Sequence, residues 1–244
     1  EEAIEALGMD ADVKTDGIQW LHRQTENADW YYVCPPLGQR FEGVVDFAQQ
    51  GTVELWNPVN GNIEDAIFEE KSGRTQVHLK LEQGETRFVV FRKDKKQGMT
   101  RRTSVTEEMS LDNAEWTLRF PDGWGVIPQT IHTNELKAWK DLALSDEGKA
   151  FSGTVTYSTS ISITRKKRGC RYFLDLGRVE SIAKIRINGK EAGTLWTFPY
   201  RTDISKYLKN GKNQLEVEIT NTWFNRLVFD ANQPESLRKT WTIN

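Results

Sequence analysis

Apolar and polar residues alternate with a period of two along most of this chain. The clearest case is Ser181 to Asn221. There Ala183, Ile185 and Ile187 point one way while Lys184 and Arg186 point the other, as expected for a strand with one packed and one wet face. Asn188-Gly189 follows. Both central residues of a type I′ turn need positive φ, so this pair predicts a two-residue hairpin returning through Leu195. Beyond Trp196 to Arg201, Thr202 or Asp203 is placed to cap a helical turn carrying Ile204 and Leu208. Leu215, Val217 and Ile219 then face inward between Glu216 and Glu218, giving a third strand.

The same period recurs upstream. Strands are predicted for Ile18 to Arg23, Asp29 to Cys34, Phe41 to Phe47, Thr52 to Trp56, Val77 to Leu81 and Phe88 to Phe91, and Pro35-Pro36 ends the second because two amide donors are missing. Asn60-Gly61 marks another reversal. From Glu115 a second series begins: Trp116, Leu118 and Phe120 share a strand face, Pro121 to Gly125 turns, and Ile131 to Leu144 is read as partly helical or irregular. Strands follow at Gly153 to Ser158, Ser160 to Thr164 and Arg171 to Leu176. Residues 1 to about 17 suggest one helical turn through Ile4 and Leu7. The fold class is therefore all-β, with two antiparallel β-sandwich domains: a small one at 1–94, a linker at 95–114, and a jelly roll of about eight strands at 115–244. The linker assignment rests on the mixed-sign run KDKKQGMTRRTSVTEE, which lacks interleaved aromatics and reads as a solvated connector.

Composition narrows the function classes. With 33 Lys plus Arg against 35 Asp plus Glu, the net charge of −2 gives no electrostatic pull toward nucleic acid or an anionic membrane. No apolar run approaches the roughly 20 residues of a membrane span. Nine Trp supply core volume and flat faces. Cys34 and Cys170 fall in different predicted domains, so inert thiols are expected rather than a disulfide. None of His22, His78 and His132 has another metal-ligand type at a zinc spacing, and no nucleotide-binding glycine loop or GxSxG elbow occurs. Glu1-Glu2-Ala3 is not a signal peptide and has no initiating Met, which suggests a segment of something longer.

Three sets of residues carry a family resemblance. The stretch from INGKEAGTLWTFPY to ITNTW resembles the sugar-binding, galactose-binding-like jelly-roll domain of glycoside hydrolase family 2. FSGTVTYSTSISI, LDLGRVESIAKIRINGKEAGTLW and ITNTWFNRL are together similar to the C-terminal portion of glycoside hydrolase family 106, the α-L-rhamnosidases. HRQTENADWYYVCPP, VELWNPVNGNIEDA and RTQVHLKLEQGETRFVVFRK are similar to the smaller β-domain after that family's catalytic barrel.

The resemblance implies a non-catalytic accessory region of a polysaccharide-degrading hydrolase. Its partner would be the catalytic barrel of the same polypeptide, and its location periplasmic or extracellular. It implies no cofactor; such domains often carry a structural calcium, but no dense Asp/Asn run marks one here.

Glycoside hydrolysis needs two opposed carboxylates, and the adjacent pairs Glu64-Asp65, Glu69-Glu70 and Glu107-Glu108 do not supply that geometry. The strand-helix alternation of a barrel is missing as well. No catalytic and no metal-binding residue is assigned. The candidate carbohydrate-binding set is Trp196, Phe198, Tyr200, Arg201, Trp223, Asn225 and Arg226, because aromatic faces stack on pyranose rings while Arg and Asn donate to hydroxyls. The same rings would also serve to close the end of the sandwich, with Arg201 or Arg226 paired to Asp203 or Asp230. An independent lectin-like module and a cell-surface protein-interaction module are the competing classes.

Overall fold

The computed structural model describes residues 10–93, 107–111, 113–179 and 181–241. The chain divides into two compact units, Glu1–Thr106 and Glu107–Asn244. The predicted turn through Ile4 and Leu7 and most of the predicted linker lie outside the described residues.

In the first unit the described strands are β1 (Val13–Lys14), β2 (Gln19–Gln24), β3 (Ala28–Cys34), β4 (Phe41–Phe47), β5 (Thr52–Trp56), β6 (Ile63–Asp65), β7 (Ile67–Lys71), β8 (Arg74–Leu81) and β9 (Arg87–Arg92). They form a four-stranded sheet, β1-β4-β8-β7, and a five-stranded sheet, β2-β3-β9-β5-β6. The inward rows of both sheets supply one core. Val45, Phe47, Val77 and Leu79 come from the first, and Tyr31, Val33, Val53, Val89 and Phe91 from the second. Tyr31, Phe47 and Phe91 pack their rings at 4.8, 5.7 and 5.4 Å, within the range where tilted aromatic pairs add to burial. The buried Tyr31 hydroxyl donates to Asp12 at 2.6 Å, and burial together with that carboxylate pushes the phenol well above its usual range. His22 stacks on the same ring at 4.2 Å, with Asp12 at its Nδ1 and Asp29 at its Nε2.

The second unit contains β10 (Trp116–Arg119), β11 (Thr130–Thr133), β12 (Thr154–Ile163), β13 (Phe173–Asp175), β14 (Ile182–Ile187), β15 (Lys190–Leu195), β16 (Arg201–Asp203) and β17 (Gly211–Thr220), with helices α1 (Asp146–Lys149) and α2 (Phe224–Ala231). Six strands, ordered β11-β10-β12-β17-β14-β15, make one antiparallel sheet, and β13 pairs with β16 separately. Register aligns Leu118, Tyr157, Val217 and Ile185 in one inward row. Leu174 of the smaller ribbon joins the same core, as do Phe120, Trp139 and Phe151 from the segments between strands. Asn188 and Gly189 both have positive φ, 52° and 76°, as the turn between β14 and β15 requires.

Four local expectations change. Thr154–Ile163 is one ten-residue strand, β12, paired with β17 throughout, because Thr159 turns inward and donates to the Glu115 carbonyl instead of breaking the strand. Thr130–Thr133 is a strand on the edge of the sheet, where only one neighbour sets its pattern. Arg201–Asp203 pairs with β13; Asp203 does accept from the Ser205 amide, and Ile204 and Leu208 are buried, but the turn is short. Residues 224–231, for which no element is predicted, form a helix.

Candidate functional site

Candidate residues of the second unit sit on two supports. The first is the loop between β15 and β16 together with the β13–β16 ribbon. Trp196 leaves the end of β15 with 62% of its surface exposed. Phe198 is half-buried, its ring edge-on to Tyr200 at 5.1 Å, and the Phe198–Pro199 peptide is cis. Tyr200 turns inward; it is buried and its hydroxyl donates to the Ser181 carbonyl at 2.7 Å. The next residue points out. Arg201 lies over the exposed ring of Phe173 at 4.4 Å, and Arg171 approaches that ring at 4.9 Å while its Nε donates to Asp203 at 2.9 Å. Register explains the grouping: Phe173 opposes Asp203 and Asp175 opposes Arg201, so these four share the outward face while Leu174 and Thr202 face in. Two guanidinium groups held against one phenyl ring form an electropositive surface.

The second support is α2. Trp223, just before it, is half-exposed, and its ring meets Trp124 at 5.6 Å; Trp124 in turn stands edge-on to Phe151 of the core at 5.8 Å. Asn225 is exposed. Arg226, one turn from Asp230, is fully buried, as is Asp230. Its Nη1 bonds to Glu147 of α1, and its Nη2 lies 3.0 Å from Asp230 Oδ1, an ion pair whose alignment misses hydrogen-bond geometry. Asp230 Oδ2 accepts from the amides of Lys239 and Thr240 at 3.0 and 2.7 Å and from the Thr240 hydroxyl at 2.8 Å.

These contacts set the local charge. The Arg226 hydrogen bond holds the Glu147 carboxyl below the ordinary range. Burial pushes Asp230 up, but the Thr240 hydrogen bonds and the adjacent Arg226 cation outweigh it and leave that carboxyl lowered as well. Arg226 is therefore a clamp joining α1, α2 and the C-terminal tail. Of the seven candidates, Tyr200 and Arg226 are packed inside and offer no donor to solvent. Trp196, Arg201, Trp223 and Asn225 face out, and Phe198 is intermediate.

The sequence reading missed Phe173, Arg171, Trp124 and Glu147. Phe173 carried a usable signal, an aromatic residue on the polar side of an alternating strand. Glu147 carried none, because its partner lies 79 residues away.

The adjacent carboxylates do not converge. Glu64 and Asp65 are neighbours on β6 and Glu69 and Glu70 on β7, where consecutive side chains point to opposite faces. Glu107 pairs with Lys167, whose hydrogen bond lowers its carboxyl. Among the described residues no group of three or more His, Cys, Asp or Glu side chains is placed to hold a metal ion, and no helix is long and apolar enough to cross a membrane. Cys34 and Cys170 are free thiols, half-buried and exposed respectively.

Residues 124–242 match the family model described as "Glycosyl hydrolase 2 galactose-binding domain-like". The second unit carries a galactose-binding-like domain. A curated protein of Formosa agariphila, provisionally named a beta-glucuronidase, is 41% identical over 122 residues, 49% of this chain and 10% of that protein. The solved structure of a rhamnosidase from Novosphingobium sp. PP1Y matches both the galactose-binding-like domain and the unit before it. It covers 99% of this chain at a TM-score of 0.83 and 30% identity, and the match takes up 24% of the rhamnosidase chain. The chain thus spans about a quarter of that enzyme, and the segment shared with the curated relative about a tenth of its length.

Proposed function

We propose that this chain is the non-catalytic accessory region of a larger α-L-rhamnosidase-like glycoside hydrolase of family 106. It braces the catalytic barrel of the same polypeptide and presents the galactose-binding-like domain to polysaccharide. The observation that carries this reading is the likeness to the Novosphingobium rhamnosidase, which takes in 99% of the present chain but only 24% of that enzyme. The internal chemistry agrees: Glu107, Glu147 and Asp230 are lowered by bonds to cations or hydroxyls and stay ionised, unlike a general acid, which needs a raised pKa. Carbohydrate contact falls to the outward residues Trp196, Arg201, Trp223 and Asn225, with Phe198 beside them, while Phe224 and Val228 give α2 an exposed apolar side suited to packing against the barrel. A periplasmic or extracellular location goes with this reading.

The test compares the 244-residue chain with a version extended upstream to include the barrel, both assayed on an aryl α-L-rhamnoside. Hydrolysis by the longer protein alone is expected; hydrolysis by the shorter one overturns the proposal.

A further inference from the structure

We infer that the first unit carries a pyranose-binding cleft of its own, on the side of its five-stranded sheet that faces away from the core. Register sets Leu21, Tyr32, Phe88 and Trp56 in one row across β2, β3, β9 and β5, with Arg23 and Trp30 in the row beside it. These are the outward positions; the alternate residues Tyr31, Val33, Val89 and Phe91 face the core. Leu21, Arg23, Thr25, Trp30, Tyr32 and Phe88 line a cleft of about 240 Å³. That is below the roughly 300 Å³ at which drug-sized ligand pockets begin, and it suits one sugar ring rather than a larger group.

The walls are pre-set. Trp30 stands edge-on to Trp56 at 4.7 Å and to Phe88 at 6.2 Å, Tyr32 meets Phe88 at 5.3 Å, and the indole N–H reaches toward Thr25, whose hydroxyl also closes the β2–β3 turn. Rings fixed in this way meet a ligand without further ordering cost.

The surface of the hollow is apolar, and two of its lining residues carry polar ends outside it. The Tyr32 hydroxyl has no hydrogen-bond partner among the described residues. Arg23 gives one N–H to the His22 carbonyl at 2.9 Å, leaving the rest of its five-donor fork open. A ring-sized aromatic hollow whose lining residues carry a phenol and a guanidinium beyond its apolar surface matches a pyranose, which offers C–H groups on one face and oxygens at its edge. This site is separate from the second-unit surfaces named above and stands or falls without them.

The full chain is titrated with methyl α-L-rhamnoside, methyl β-D-galactoside and methyl β-D-glucuronide by isothermal calorimetry, with saturation-transfer NMR as a second readout. At least one glycoside is expected to bind. Trp30→Ala should abolish that binding, and Tyr32→Phe or Arg23→Ala, each checked by circular dichroism for an intact sheet, should weaken it at least about threefold, as loss of one hydrogen bond predicts. A preference for the glucuronide that disappears in Arg23→Ala would assign the guanidinium to the carboxylate. Binding of none of the three, or binding that survives both Tyr32→Phe and Arg23→Ala, overturns the inference. Binding lost only in Trp196→Ala overturns it too, while leaving the proposed accessory role standing.

Discussion

Replacing Arg226 should cost the galactose-binding-like domain more than any other single side chain described above. The guanidinium has no exposed surface and sits between Glu147 and Asp230, with its carbon 5.2 Å from the Phe229 ring centroid. Arg226→Ala leaves the buried Asp230 carboxylate without its cation, releases α1 from α2 and opens a cavity where the side chain lay. Breaking a buried pair from one side destabilises by about 3–5 kcal/mol, a large part of the roughly 5–15 kcal/mol that holds a domain together. Arg226→Met keeps most of the volume and isolates the charge effect. Arg226 with Asp230 both replaced by apolar residues should recover much of the loss, since the uncompensated carboxylate is then gone.

Urea denaturation followed by tryptophan fluorescence measures each variant, with Trp124 and Trp223 near the affected helices as reporters. The pH dependence gives a second check. Glu147 and Asp230 are both lowered in the folded state, so what they contribute is complete above the ordinary carboxylate range, near about pH 4, and is lost as pH falls through their lower folded values. In Arg226→Met the acid loss should begin at higher pH, because burial without the cation raises Asp230. A cost under about 1 kcal/mol for Arg226→Ala, the level of an exposed pair, would refute the reasoning.

Three further outcomes are expected. Asn213 is fully buried and bonds to Asn188, Lys209 and Gly211, tying the β14–β15 turn to the start of β17; Asn213→Ala strands several of those groups and should cost about 1–3 kcal/mol or more in thermal unfolding. Gly189 holds φ at 76° with open space around it, so Gly189→Val should lower stability through backbone strain rather than a clash, by about 1 kcal/mol or more, and Gly189→Asn by less. Trp196→Ala should change stability by no more than about 0.5 kcal/mol, since the ring is mostly exposed; a larger loss in differential scanning calorimetry would show that the ring is structural.

The strands that were legible in the sequence are those with two neighbours or a strict alternation. β3, β8, β14 and β17 each put a row of Val, Ile, Leu or Tyr into a core, and burial enforces the register that the pattern predicts. The Asn188-Gly189 turn was legible because its backbone geometry admits few other pairs. β6, β7 and β11 were not. They are edge strands with mostly exposed residues, so no periodic burial marks them. α2 was hidden for another reason: its inward side is built on Arg226 and Asp230, which read as surface residues until the distant Glu147 and Thr240 are brought beside them. The candidate site was half legible for the same cause. Residue type suggested sugar contact for all seven positions, but only the fold separates the outward Trp196 and Arg201 from the inward Tyr200 and Arg226.

The long pairing of β12 with β17 makes the galactose-binding-like domain direction-dependent under tension. All ten residues of each strand are matched antiparallel, from Thr154 with Thr220 to Ile163 with Gly211. A pull along these strands loads every rung together, as in a lap joint, whereas a pull across them peels the rungs one after another. A tether arranged to shear this seam would withstand drag that would readily unzip the three-residue β13–β16 ribbon.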